Sequence, residues 1–304
     1  MNVVFRVDSS SQMGLGHLMR CLTFADGLKQ QNHNATFICR ELKGSLIKLI
    51  NHIVFVLPFD KDFQSDDLYL SWLGTTQEQD AQQTIQTMPK NVDLLVVDSY
   101  ALDEVWHKRL HQYTKKIMVI DDLADRKFDC DVLLNQNLGI QKEDYQDKVP
   151  NNCELLLGCE YALLRPEFIE LRKQATEKRK GTKAIKNILI SMGGSDKNNV
   201  TYDILQQLDD DFNVIVVLGG ASQHKKMIQK YVKDKNIKVK IIVNADNMAE
   251  LMLNADVAIG AGGVTSLERC CLGLPTFLYV LSVNQRAIAE NLENLGVVII
   301  VRNL

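Results

Sequence analysis

Two successive α/β domains, each a parallel sheet covered by helices, are predicted by three observations. Short β-rich runs alternate with helical stretches, the alternation restarts after a charged stretch at 167–186, and glycine-rich turns recur at strand ends. The first series of strands is 3–7, 35–39, 53–57, 93–97, 117–120, 132–134 and 155–157. The second is 187–191, 213–218, 239–243, 256–259, 276–280 and 297–301. These runs define an N-terminal Rossmann-like domain at 1–168, a solvated linker at 169–186 and a C-terminal Rossmann-like domain at 187–304. The basic run Lys178-Arg179-Lys180 has two readings, an anion site or a solvated part of that linker, and the second is adopted.

The first strand closes on Asp8 and the serines Ser9 to Ser11. After the turn Gly14-Leu15-Gly16-His17, the residues Leu18, Cys21, Leu22, Phe24, Ala25 and Leu28 recur at helical spacing, so one face of a helix packs on the sheet. The turn then lies at the carboxyl edge of the strand, where open α/β sheets bind ligands. Backbone amides and the positive end of the helix suit phosphate or developing negative charge in that space. A neutral histidine there can act as a general base near pH 7. Two readings of His17 stay open: a catalytic base, or a residue that caps the helix or fills a polar corner of the loop. A dinucleotide site is disfavoured, because a third glycine is lacking and Met19 stands where Gly or Ala is needed.

Composition narrows the functional classes. Apolar residues make up 46% and charged residues 24%, a globular balance, and 304 residues suffice for two cores. A net charge of −3 provides no field to draw nucleic acid or an anionic membrane, so a small-molecule ligand is expected. No apolar run approaches the roughly 20 residues of a membrane helix, and residues 1–6 read as a strand rather than a signal peptide, so a cytoplasmic protein is expected. The seven cysteines contain no CxxC pair and are read as small apolar residues, with Cys270 and Cys271 adjacent on a helix. His107 and His111 stand four apart but lack HExxH context, so they are read as a solvated helix face. The acidic runs Asp121-Asp122 and Asp209-Asp210-Asp211 are not read as a metal site, and neither metal nor cofactor is expected.

In the second half the turns are Ser191-Met192-Gly193-Gly194-Ser195-Asp196, Leu218-Gly219-Gly220 and the segment from Gly260 to Glu268. In the last of these a strand delivers the chain to Gly260-Ala261-Gly262-Gly263, and Thr265 to Cys271 begin a helix. Glycines there let the backbone approach a pyrophosphate, whose oxygens the amides and the Thr265 and Ser266 hydroxyls can hydrogen-bond. Glu268 is placed to accept from ribose hydroxyls. The other reading is a tight turn needing glycine for packing, with Glu268 as a favourable first-turn acid. Gly193 and Gly194 carry the same two readings.

Together these segments resemble one family. Phe5-Arg6-Val7-Asp8-Ser9-Ser10, Gly14 to Leu22, Val97-Asp98-Ser99-Tyr100, Ile120 to Arg126, Asn135-Gln136-Asn137-Leu138 and Tyr161 to Phe168 are similar to the UDP-2,4-diacetamido-2,4,6-trideoxy-β-L-altropyranose hydrolases of pseudaminic acid biosynthesis. The Ser191 to Asp196 and Gly260 to Gly263 turns fit the same pattern. The resemblance implies a GT-B architecture, two Rossmann-like domains with an interdomain cleft, and inverting hydrolysis of a UDP-linked sugar. It makes His17 the catalytic base and matches the Gly262-Gly263 turn and Glu268 to the UDP site, to which the turns themselves add Gly193, Gly194, Thr265 and Ser266 as UDP-binding residues. It places Tyr100 at the sugar site and Asn284 and Gln285 where such enzymes contact the sugar or the diphosphate; Asp8 and Gly16, beside the first turn, are read as substrate-binding from their position. Asp8 is expected to orient His17, to bind a sugar substituent, or merely to cap its loop. One departure is that the sequence stops at Leu304 after a predicted strand, where GT-B proteins commonly finish with a helix.

One base fits this chemistry. Glycoside hydrolysis ordinarily needs a second carboxyl group to protonate the leaving oxygen. A nucleoside diphosphate already leaves as a stable anion, so an anion cradle replaces the acid. The rival expectations are a glycosyltransferase with an acceptor hydroxyl in place of water, a retaining or epimerising enzyme on UDP-N-acetylhexosamine, and a non-catalytic nucleotide-sugar sensor.

Overall fold

Parallel strands covered on both faces read as near-continuous apolar runs, and such runs form the strands of both sheets here. The computed structural model describes residues 1–181, 184–193, 196–220, 222–235, 237–282 and 285–302. It divides into two units, Met1–Leu163 and Leu164–Leu304.

The first unit contains β1 (Asn2–Val7), α1 (Gly16–Gln30), β2 (Asn34–Arg40), β3 (Ile53–Leu57), α2 (Leu68–Leu73) and α3 (Gln77–Thr87). β4 (Leu94–Asp98), α4 (Glu104–Leu110), β5 (Ile117–Ile120), β6 (Val132–Asn135) and β7 (Glu154–Leu157) follow. The strands form one parallel sheet in the order β3-β2-β1-β4-β5-β6-β7. Strand order reverses at β1 and β4, so the loops leaving their carboxyl ends diverge and open a crevice between them.

The two-residue period of β1 splits its side chains between two cores. Val3, Phe5 and Val7 pack with Leu18, Cys21, Leu22 and Ala25 of α1. Val4 packs on the other side, with Ala81 of α3 and Trp106 and Leu110 of α4. Arg6 shares the face of Val4 and is fully buried, which demands a partner. Asp80 of α3 accepts from its Nε at 3.1 Å and its Nη2 at 2.5 Å, and Asp8 pairs with Nη1 at 2.7 Å. Buried Arg40 and the Trp106 indole N–H also donate to Asp80, at 2.7 and 3.1 Å. Two guanidinium groups thus meet two carboxylates, and their formal charges cancel inside the unit.

The second unit contains α5 (Pro166–Lys178), β8 (Asn187–Ser191), α6 (Val200–Gln207), β9 (Asn213–Leu218), α7 (Lys225–Lys235), β10 (Val239–Val243) and α8 (Met248–Asn254). β11 (Val257–Ala261), α9 (Val264–Cys271), β12 (Thr276–Tyr279), α10 (Arg286–Asn294) and β13 (Val298–Ile300) complete it. Its parallel sheet runs β10-β9-β8-β11-β12-β13, repeating the first unit's order with one strand fewer. The stretch expected as a solvated linker opens instead as α5. Phe168, Leu171 and Ala175, spaced three and four apart beneath a charged surface, pack with Met248, Ala249 and Met252 of α8. Lys178 and Arg179 of the basic run donate to the carbonyls of Leu253 and Met252, which the end of α8 leaves unpaired. No helix among the described residues is long and apolar enough to cross a membrane.

Candidate functional site

His17 stands in the first turn of α1 and does not cap it, since Leu15 holds the N-cap position without a side-chain bond. Its imidazole is buried against Asp98, with Nδ1 2.6 Å from Oδ1. Pairing of β1 with β4 sets Val7 opposite Asp98, and this brings a carboxylate 81 residues distant to the start of α1. Arg20 lies three residues beyond His17, on the same helix face. It donates to Asp98 Oδ2 through Nε at 2.6 Å and to Oδ1 through Nη2 at 2.7 Å, while Nη1 reaches both oxygens of Asp122 at 2.8 Å. The Tyr100 hydroxyl donates to Asp122 at 2.9 Å, and its ring meets the imidazole edge-on at 4.5 Å between centroids.

Burial works against the charge on Asp98, but the Arg20 guanidinium outweighs it and holds the carboxyl well below the usual range. Asp122 is lowered by the same balance. Arg20 in turn is raised, because the two carboxylates overcome the cost of its own burial. Nδ1 faces two partners, Asp98 at 2.6 Å, which as a carboxylate only accepts, and Arg20 Nη2 at 3.2 Å, which only donates; the shorter contact assigns the proton of a neutral His17 to Nδ1 and the lone pair to Nε2. Asp98, Arg20 and Asp122 carry one net negative charge, which neutralises a proton arriving at Nε2. A base oriented by a third group, with a counter-charge behind it, is what proton abstraction from water requires.

In the second unit β11 leads through Gly262 and Gly263 into α9. Gly263 adopts φ +148°, ψ −166°, a conformation open essentially to glycine alone. A Cβ on Gly262 would stand 3.2 Å from that of Gln285, so these two residues are brought together. Gly193, exposed with φ +80°, follows β8, which pairs with β11 through Ser191 and Gly260. Gly193, Gly262 and Gln285 therefore follow β8, β11 and β12 at the carboxyl edge, where this sheet reverses its order. Ser266 is buried and accepts from Gly263 N at 3.3 Å and Arg269 Nη2 at 3.0 Å, which leaves its own proton to donate. Thr265 is half-buried. Glu268 is buried, and Arg165 makes both its bonds to Oε1, at 3.1 and 2.9 Å. Burial pushes the Glu268 carboxyl up, and Arg165 opposes the rise without cancelling it.

The chain matches the glycosyltransferase family 28 C-terminal domain over residues 169–303. It is 29% identical over 297 residues to an uncharacterized protein of Methanocaldococcus jannaschii, covering 94% of this chain and 57% of that one. It is 31% identical over 253 residues to the UDP-2,4-diacetamido-2,4,6-trideoxy-beta-L-altropyranose hydrolase of Campylobacter jejuni, covering 83% of this chain and 81% of that protein. The chain belongs to this hydrolase family. The crystal structure of Acinetobacter baumannii MurG superposes with a TM-score of 0.63 at 15% identity, over 99% of this chain and 85% of that one, and the fold is GT-B.

Within this hydrolase family's frame, the structure brings His17, Tyr100 and the following Asp122 into one network in the first unit. Gly16 is the first residue of α1, next to His17. Asp8 does not reach His17; its carboxylate takes the Arg40 amide at 2.6 Å as well as Arg6. Gly194 and Asn284 lie outside the described residues. Asp98, Arg20 and Asp122 are added by the structure, and all three lie within the family-like segments of the sequence. The signal for Asp98 was an acid ending an apolar strand, as Asp8 does on β1. His107 requires a correction, because it is buried rather than solvated: its ring lies over Phe128, and burial together with Arg126 lowers its pKa to about 3. A short helix turns that face inward beside Trp106. Among the described residues no group of three or more His, Cys, Asp or Glu is arranged to hold a metal ion.

The turn before α9 is closely packed. Arg269 donates to Ala261 O at 2.8 Å, and a Cβ on Gly260 would fall 2.5 Å from Arg269 Nη1 and 2.9 Å from Ser191 O. Gly260→Ala is expected to cost about 1–3 kcal/mol by overpacking, read as a lower urea midpoint with unchanged slope.

Proposed function

We propose that this protein hydrolyses a UDP-linked 2,4-diacetamido-2,4,6-trideoxy sugar to UDP and the free sugar, with inversion, in pseudaminic acid biosynthesis. The observation that carries the reading is the 2.6 Å contact of His17 Nδ1 with Asp98, which leaves Nε2 as the proton acceptor. Membership of the hydrolase family supports the choice of sugar.

In the proposed step a water oxygen bonds to the anomeric carbon as the bond from that carbon to the diphosphate oxygen breaks. The water proton passes to His17 Nε2, and UDP departs as an anion with the bonding pair. No general acid is required for such a leaving group. Amides at Gly262 and Gly263, with Thr265 and Ser266, are assigned to the diphosphate, and Glu268 to the ribose. Gly193, Gly194, Asn284 and Gln285 are assigned to the same ligand, and Gly16 and Tyr100 to the sugar side of His17, while Asp8, buried on Arg6 and the Arg40 amide, holds the first strand's end in place.

The test is UDP release from the UDP-linked sugar in buffer with no acceptor, alongside NMR of the first anomer formed. Turnover without acceptor, giving the inverted anomer, is expected. Dependence on an added acceptor would make the protein a glycosyltransferase, and binding without turnover would make it a sensor.

A further inference from the structure

The chain has two tryptophans, and they are used in opposite ways. Trp106 is fully buried, with its indole N–H on Asp80. Trp72, on α2, stays half-exposed, as does Tyr69 three residues before it on the same helix. Their rings meet at 5.4 Å and 75°, and both reach Tyr100, Tyr69 at 5.2 Å and 55° and Trp72 at 6.4 Å and 44°. Tyr100 in turn touches the His17 imidazole. The three rings form an angled corner rather than a flat stack, and that corner continues to the candidate base.

Local sequence explains why α2 holds the two rings there. Asp67 caps its first turn, accepting from the Tyr69 and Leu70 amides, and Gly74 ends it in the left-handed conformation with φ +71°. Leu73 is buried in the core and Leu70 and Tyr69 pack against it, so the helix is anchored while Tyr69, in part, and Trp72 keep open surface. The faces of half-exposed aromatic rings pack well on C–H surface, and their polar atoms sit only at the ring edge.

We propose that Tyr69 and Trp72 are specificity-determining residues, forming with Tyr100 an aromatic corner that receives the apolar substituents of the sugar. This rests on the hydrolase reading above. The sugar that reading names carries a C6 methyl in place of a hydroxymethyl group and two acetamido methyls, and these are the groups that match such a surface. An ordinary N-acetylhexosamine would place its 6-hydroxyl against ring faces, where a methyl group packs better than a hydroxyl that gives up its water.

The experiment compares UDP-2,4-diacetamido-2,4,6-trideoxyhexose with UDP-N-acetylglucosamine in the wild type, Trp72→Ala, Trp72→Phe and Tyr69→Ala. The kcat/KM ratio of the two substrates is expected to fall about tenfold in each alanine variant, mostly through KM, to recover in Trp72→Phe, and to leave inhibition by UDP unchanged. A ratio within about twofold of wild type in both alanine variants overturns the inference. Saturation-transfer NMR on His17→Asn, which separates binding from turnover, should show the strongest transfer to the C6 and acetamido methyls and lose it on adding Trp72→Ala. If the wild type binds with that pattern but turns nothing over, the aromatic corner stands and the hydrolase reading falls. Transfer confined to the uridine overturns the corner itself.

Discussion

His17→Asn is expected to lower turnover by about 100-fold or more while UDP affinity stays within about twofold of wild type. Asparagine retains a hydrogen bond to Asp98 but has no nitrogen that accepts a proton, so only the transfer from water is removed. Asp98→Asn should also reduce turnover, for a different reason: an amide oriented by Arg20 no longer fixes the proton on His17 Nδ1. The two losses should not add, because both act through one proton acceptor, and the double variant should resemble His17→Asn. Steady-state UDP release and calorimetric titration with UDP measure these effects. Retained turnover in His17→Asn would remove His17 as the base.

The second large effect is on stability. Asp80→Asn leaves the buried guanidinium of Arg6 with Asp8 alone and that of Arg40 without a carboxylate partner, and a loss of about 3–5 kcal/mol is expected in urea unfolding. Replacing one member of a buried charge group is costly because its former partner stays desolvated. The same group predicts acid sensitivity. Burial opposes ionisation of Asp80, but Arg6 and Arg40 hold its pKa below the unfolded value. Stability from Asp80 is therefore fully present above about pH 4 and is lost as pH falls through the lower, folded value. Asp98 and Asp122 act in the same direction. Asp80→Asn should flatten this acid limb of the stability curve, and an unchanged limb would show that other carboxylates dominate it.

Much of the architecture was legible because it is written locally. The apolar runs at Val3 to Val7 and Leu94 to Val97 become β1 and β4, and the stripe from Leu18 to Leu28 becomes the buried face of α1. The turn at Gly262 and Gly263 was legible for the same reason, since a left-handed or extended mirror conformation favours glycine wherever it occurs. Failures of this local reading occurred where a polar exterior hides packing. Phe168, Leu171 and Ala175 are outnumbered by charges in α5, and His107 looks hydrophilic until Phe128 and Trp106 close over it.

The sequence by itself determined two parallel α/β sheets, the position of His17 at the end of a strand-to-helix turn, and the glycine turn that opens α9. Only the tertiary structure decided who stands beside His17. Asp98 is 81 positions away and reaches it through the pairing of β4 with β1, just as Asp80 reaches Arg6 across 74 positions. Strand formation depends on neighbours in the chain, which periodicity records. The partner of a buried charge is chosen by sheet order and helix docking, which bring together residues that no local pattern connects.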